Sequence, residues 1–295
     1  MIDNIYDSIS YKTCKICAGP IEVKSRKTVD GLPMAECLNC GLLFVKDVSI
    51  KQLRSDTDES LDEYYTEIST EKSKFNYCLN LIKSFLDHQN RKMAGQRLLD
   101  IGCGDGYFIS LCQNLGIDSY GYDISPAVVD YAKRKGLKVF AALNKITDKF
   151  DIITMFDVLE HMENPRCELE DLAKLLKDNG LIFIETPRKC LADFYLSILE
   201  VLGVARNNRI SAEHLQLFTD NSLQKLFDQL PYKIIFIKNK TSLSWGDTEG
   251  ISQYVNNIGI PKSLNWFVAI IVKSLIRINL FGRNKAIILA TKNAN

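Results

Sequence analysis

Three groups of residues in this 295-residue chain have the types and spacing to do chemistry. The first is Asp100 followed by Gly102, Gly104 and Gly106 in "LLDIGCGDGYF". Glycines on such a turn let a ligand approach bare backbone. A dinucleotide needs G-x-G-x-x-G, with backbone amides and a helix N-terminus facing its pyrophosphate. Here the spacing is G-x-G-x-G, with Asp100 ahead of it and Asp105 inside it. Two carboxylates disfavour a doubly negative group. They suit a ligand that carries an ammonium and a sulfonium and no phosphate, which describes S-adenosylmethionine. Asp123 follows the glycines by about 20 residues, the separation at which a carboxylate takes ribose hydroxyls. NAD would use that acid equally well, so the glycine spacing and Asp100 decide between the two. A packing turn without a ligand is the plainer alternative.

The second group is Cys14-x-x-Cys17 and Cys37-x-x-Cys40, with 19 residues between the pairs. Two thiolates three residues apart grip one side of a tetrahedral ion, and a second pair closes the shell, as in a four-cysteine zinc ribbon. Such a site has no open position for catalysis. The bland alternative is four unrelated buried cysteines. The third group is the histidines, of which there are three. His161 in "DVLEHMENP" and His214 in "SAEHLQLFT" follow predicted strands and can accept a proton near neutral pH; His88 in "LDHQN" reads as surface. A loop anchor for His161 and a helix cap for His214 are the competing structural roles.

Positioning these groups falls to an alternating series of elements. Phe75, Leu79, Ile82, Phe85 and Leu86 mark one apolar helical face. Leu98 to Ile101 reads as a strand, followed by a helix from Tyr107. Ser119 to Tyr122 is a second strand, followed by a helix opening at Ser125-Pro126, where serine caps and proline suits the first turn. Val139 to Ala142, Ile152 to Phe156 and Leu181 to Ile184 are further strands, with a helix over Leu169 to Leu176. The alternation implies a parallel, doubly wound α/β sheet, completed by strands at Tyr232 to Lys238 and Lys285 to Thr291. In such a sheet the ligand lies beyond the carboxyl ends of the strands. The expected division is a ribbon over 1–46, an acidic connector over 47–72 and a main domain over 73–295. The main domain carries an acceptor-side insertion at 187–230 and an apolar helix at 262–281.

"LLDIGCGDGYF", "GYDISPAVVDYAK", "FDIITMFDVLEHMENP" and "LLKDNGLIFIETP" resemble, in order, the motifs of class I S-adenosylmethionine-dependent methyltransferases. The subgroup of most similar appearance includes ubiquinone-pathway O-methyltransferases and many saccharide and natural-product enzymes. The resemblance covers residues 75 to 292 and implies a Rossmann-like seven-stranded sheet beside the small N-terminal zinc ribbon. It implies that Asp100, Gly102, Gly104 and Gly106, with Cys103 among them, hold the methionine end of the cofactor. It also implies that Asp123 and Ile124 hold ribose and adenine, and that Phe156 and Asp157 line the pocket wall. Tyr64 and Tyr65 either fold over the cofactor as a lid or pack between ribbon and main domain. His214, in the insertion where this family builds its acceptor pocket, is the expected acceptor contact; His161 is the expected loop anchor.

Composition narrows the partners. Lysine and arginine number 37 against 36 acidic residues, a net charge of +1. No strong field draws the chain to nucleic acid. Arg188, Arg206 and Arg209 would meet an anionic acceptor such as a sugar nucleotide, or are solvated charges. The start "MIDNIYDSIS" lacks the basic and apolar regions of a secretory signal, so a reducing cytoplasm is expected and the nine cysteines read as thiols or metal ligands. Residues 264–281 are apolar apart from Lys273 and Arg277 and a few small polar residues; they pack on the sheet, pair two subunits, or rest on a lipid surface. The reading is methyl transfer to a small-molecule or saccharide acceptor. Its rivals are an RNA methyltransferase using the ribbon, discriminated by a basic surface joining ribbon and pocket, and a non-catalytic module that binds S-adenosylmethionine.

Overall fold

The computed structural model describes residues 8–28, 31–49, 72–190, 214–240 and 283–293. Tyr64, Tyr65, Arg206, Arg209 and the stretch 264–281 lie outside the described residues. The N-terminal strands are β1 (Ser8–Ser10), β2 (Ile21–Lys27), β3 (Pro33–Cys37), β4 (Leu43–Val45) and β5 (Asp47–Ser49). Helix α1 (Lys72–His88) leads into β6 (Arg97–Ile101), α2 (Tyr107–Asn114), β7 (Asp118–Tyr122), α3 (Pro126–Arg134) and β8 (Val139–Phe140). There follow β9 (Phe150–Phe156), α4 (Pro165–Leu175), β10 (Leu176–Pro187), β11 (Gln216–Leu217), α5 (Asp220–Phe227), β12 (Tyr232–Lys240) and β13 (Lys285–Lys292).

Seven strands form one sheet in the order β12-β13-β10-β9-β6-β7-β8. The pairs from β10 to β8 are parallel, as alternation with helices requires. β13 departs from the all-parallel expectation by running antiparallel to both β10 and β12. Ile101 pairs with Tyr122 and Met155, and Phe156 with Glu185, so the parallel strands end level with one another. Everything immediately beyond those residues meets at one edge of the sheet.

Strand residues alternate between two cores, which is why the strands read as continuous apolar runs. Leu98, Ile152, Leu181, Phe183, Ile287 and Leu289 face α1, which buries Phe75, Cys78, Leu79, Ile82 and Leu86 against them. Leu99, Ile153, Ile182, Ile184 and Ile288 face the other way, toward α4 and α5. That second core also contains Cys14, Ile16, Ala35, Cys37, Leu42 and Phe44, so the N-terminal module is packed into the main body.

Three local differences from the sequence reading have clear causes. Helix α4 starts at Pro165, four residues before the expected Leu169, because the Asn164 side chain accepts from Cys167 N and Pro165 suits the first turn. β8 has two residues, and a 3-10 turn over Leu143–Lys145 follows it. β5 pairs with β1, so the paired strands of the N-terminal module run to Ser49, past position 46. That module's four-stranded sheet, β11-β4-β3-β2, also takes its last strand from the insertion at 187–230.

Candidate active site and cysteine centre

Beyond β6 the chain enters the glycine loop with Gly102, Gly104 and Gly106 at φ of 70°, 53° and 79°. A Cβ on Gly102 would stand 2.4 Å from Val158 Cγ2, and one on Gly106 would stand 2.1 Å from Leu137 Cδ1. Packing and a left-handed backbone therefore demand both glycines. The loop amides are already engaged: Gly102 N and Cys103 N donate to Tyr122 O, Gly106 N to Cys103 O, and Gly104 N to Asp123 Oδ2. At the start of α2, Tyr107 N donates to the Asp105 carboxylate at 3.1 Å. The chain's own carboxylate thus occupies the place a phosphate would take at a helix N-terminus.

Asp100 lies beneath this loop with 3% of its surface exposed, and its Oδ1 accepts from Thr154 Oγ1 at 2.7 Å. Burial pushes its carboxyl up to about 7. Asp123, beyond β7, accepts from Gly104 N and from Ser125 N at 3.1 and 3.0 Å. Its orientation is fixed by two bonds, and a carboxylate has about four acceptor positions, so capacity for two hydroxyls is left. Ile124 beside it is 76% exposed, an apolar surface on which a flat ring can stack. Cys103 turns its side chain away into the core formed by Ile109, Val129, Ala132, Leu137 and Val139. Phe156 packs under the strand ends, its ring centroid 5.0 Å from those of Phe75 and Phe108.

Asp157 follows β9 at φ 55°, its N donating to Glu185 O at 2.9 Å. Burial would raise its carboxyl, but Lys285 and Lys74 more than offset that and hold it below the usual carboxylate range. Lys74 Nζ approaches Asp157 Oδ2 at 3.4 Å and Lys285 Nζ pairs with Oδ1. Sequence reasoning missed both lysines, which lie 83 and 128 residues from their partner and carry no local signal.

The structure brings His161 and His214 together, ring centroids 4.8 Å apart at 65°. Leu215 N donates to Glu160 O, and Gln216 Nε2 donates to Leu159 O and Met162 O, both at 2.9 Å. These bonds fasten the segment after His214 to the 3-10 turn Leu159–His161. Glu160, also missed, is fully buried beneath the pair. Its Oε2 accepts from Thr186 Oγ1 at 2.9 Å, and its Oε1 lies 3.9 Å from His161 Nε2. Burial and the nearby Asp157 charge push the Glu160 carboxyl up to about 8. Its position next to His161 was the one available sequence signal. His88 is exposed at the end of α1.

The four paired cysteines meet in one cluster. Cys14 Sγ stands 3.6 Å from Cys40 Sγ and Cys17 Sγ 3.5 Å from Cys37 Sγ, and all four sulfurs lie within 4.8 Å of one another. A tetrahedral ion with Zn–S bonds of about 2.3 Å spaces its sulfurs about 3.8 Å apart, whereas a disulfide needs about 2.05 Å. Ile16 N points at Cys14 Sγ, and Asn39 N and Cys40 N at Cys37 Sγ, at 3.3–3.4 Å. Such donors stabilise thiolates, so the donor set fits a four-thiolate metal site.

The strand order, with β13 reversed and the glycine loop after β6, is the Rossmann-like fold of the class I S-adenosylmethionine-dependent methyltransferases. The crystal structure of the plantazolicin methyltransferase BamL with a triazolic desmethylPZN analog and SAH shares it. The TM-score is 0.51 at 18% identity, covering 79% of this chain and 90% of that one. The chain belongs to the methyltransferase domain family, whose model matches residues 70–235. The ubiquinone biosynthesis O-methyltransferase of Xanthomonas oryzae pv. oryzae (strain PXO99A) is 29% identical over 143 residues, 44% of this chain. The protein of the same name from Pelagibacter ubique (strain HTCC1062) is 27% identical over 183 residues, 59% of this chain and 72% of that one. The chain spans 59% of the length of the Xanthomonas relative.

Proposed function

We propose that the chain transfers the methyl group of S-adenosylmethionine to an oxygen of a small-molecule or saccharide acceptor. The observation that carries the cofactor choice is the glycine loop. Its amides at 102, 103, 104 and 106 are spent inside the protein, and Asp105 caps α2, which leaves no cradle for a pyrophosphate. Asp100 and the glycines then hold the methionine end, with Cys103 contributing backbone only. Asp123 takes the ribose hydroxyls, Ile124 lies against adenine, and Phe156 and Asp157 support the wall. In-line attack by the acceptor oxygen breaks the S–CH3 bond, forms the O–CH3 bond and releases S-adenosylhomocysteine; the acceptor's proton goes to the histidine pair. Positioning supplies most of the acceleration. The O-methyltransferase relatives support oxygen as the acceptor atom.

Cys14, Cys17, Cys37 and Cys40 hold one zinc in this reading, and the closed shell makes it structural. The ribbon it organises runs to Ser49 and braces the acceptor side through β11. All nine cysteines are free of disulfides. No helix among the described residues is long and apolar enough to cross a membrane.

The test is incubation with S-adenosylmethionine bearing a 13C methyl group and a cell extract divided into RNA and small-molecule fractions. The expected result is S-adenosylhomocysteine production and a labelled product from the small-molecule fraction, abolished by Asp123→Ala. Labelling confined to RNA, or no turnover with either fraction, would contradict the proposal.

A further inference from the structure

The turn that carries His161 is a single 3-10 element, Leu159–His161, and such short turns have weak internal hydrogen bonds. Its carbonyls and those just after it are held from outside. Leu159 O and Met162 O accept from Gln216 Nε2, and Glu160 O accepts from Leu215 N. Glu163 O accepts from Tyr11 Oη and from Lys15 Nζ, both at 3.3 Å, from donors 152 and 148 residues away in the N-terminal module. Phe44 joins the two sets of donors. Its backbone pairs with Gln216, and its ring meets that of Tyr11 edge-on at 5.8 Å and 86°. Lys15 Nζ lies over both rings, 5.5 Å from the Tyr11 centroid and 5.9 Å from that of Phe44, so two aromatic faces hold the cation in place. Lys15 also stands between Cys14 and Cys17, and the first cysteine pair therefore sets where its side chain begins. An ammonium on the outside of a small module ordinarily stays in water; this one is turned inward onto a carbonyl.

We propose that Tyr11 and Lys15 are positioning residues for the histidine pair: they pin Glu163, and with it the turn that sets His161 against His214. The N-terminal module then serves the reaction by direct side-chain contact with the turn and not only through β11. A charged donor on a backbone carbonyl gives a stronger bond than a neutral one, so Lys15 supplies most of the hold and Tyr11 the direction. This role rests on the methyl-transfer reading with the histidine pair as proton acceptor; the contact with the turn does not. Loss of the hold displaces the base, which lowers rate far more than cofactor affinity, because the loops proposed to hold the cofactor follow β6 and β7.

The experiment compares the full-length, zinc-loaded chain with Tyr11→Phe, Lys15→Met and the double variant. Lys24→Met is the control, a lysine of the same module that pairs with Glu22 and Glu36 instead. Histidine ring protons are followed by NMR, with His88 as an internal reference, and zinc content by elemental analysis. Turnover is read as S-adenosylhomocysteine released with the small-molecule fraction of a cell extract, and cofactor affinity by calorimetry. The expected result for the double variant is displaced His161 and His214 signals, an unmoved His88 signal, and turnover lowered roughly tenfold to a hundredfold. Zinc content and S-adenosylmethionine affinity should stay within about twofold of native, Tyr11→Phe should give a milder change in the same direction, and Lys24→Met should change nothing. Unmoved His161 and His214 signals, native turnover in the double variant, or a parallel loss of zinc or cofactor affinity would overturn the proposal. A native chain without turnover refutes the methyl-transfer reading, whereas the histidine signals judge the contact with the turn whether or not methyl transfer occurs.

Discussion

Asp100 carries an electrostatic tension, an acid that the fold buries beneath the loop proposed to hold a cationic ligand. An ordinary aspartate titrates near about 3.9, and burial pushes this one up to about 7, with Lys74 opposing and Asp123 adding to the shift. Between those two values the folded state binds the extra proton. The cofactor-free protein therefore loses stability from this group as pH rises through that window. A bound ammonium reverses the preference and draws the proton off, so S-adenosylmethionine should bind more weakly as pH falls below about 7. Titrations at several pH values should show that slope in the native chain and a flatter one in Asp100→Asn; equal slopes would remove Asp100 from the cofactor site. The histidine pair gives a second prediction. His214→Ala and His161→Ala should each lower turnover by roughly a hundredfold while cofactor affinity stays near normal, and a parallel loss of both quantities would mark a loop anchor instead. Asp100, Asp123 and the histidines were legible because type and spacing expose them. Glu160, Lys74 and Lys285 were not, because their meaning comes from contacts across the fold, such as Asp157 with Lys285.

The element that ties the cysteine centre to the proposed acceptor side is the short β4–β11 pairing. Gln216 pairs with Phe44, and Leu217 with Leu43, while Val45 N donates to Leu215 O. His214 therefore hangs from a strand whose partner is organised by the four cysteines. Replacing Cys37 and Cys40 together by serine should abolish zinc binding and lower the melting temperature. It should also reduce turnover more than S-adenosylmethionine affinity, because the loops proposed to hold the cofactor follow β6 and β7. Elemental analysis, melting curves and calorimetry check this; full zinc content in the double variant, or normal turnover without zinc, would contradict it. The long apolar strands and the helix capped by Ser125 were readable from periodicity and capping chemistry, whereas the Asn164 cap, which starts α4 four residues early, was not read. A two-residue strand such as β11 has no periodicity to read, and it exists only because β4 offers an unpaired edge.

At the scale of the whole molecule, the two cores on either face of the sheet explain how a chain of nearly neutral charge places its carboxylates along a single edge. The alternation of strand residues between those cores fixes the register, and the register brings Gly102, Asp123 and Phe156 to one level, with Asp157 one residue beyond. The α/β class was legible from alternating elements, whereas the reversal of β13 was not, since strand direction depends on the route of the preceding chain. Packing of the ribbon into the main core was equally hidden, because Phe44 and Leu42 look in sequence like the core of a small separate module. The central claim is that this edge binds S-adenosylmethionine and not a dinucleotide. Isothermal calorimetry of the purified chain with S-adenosylmethionine, S-adenosylhomocysteine and NAD tests it directly. The account predicts one site per chain for the first two, weakened by Asp123→Ala, and no heat from NAD; saturable NAD binding with silence toward the other two would contradict it.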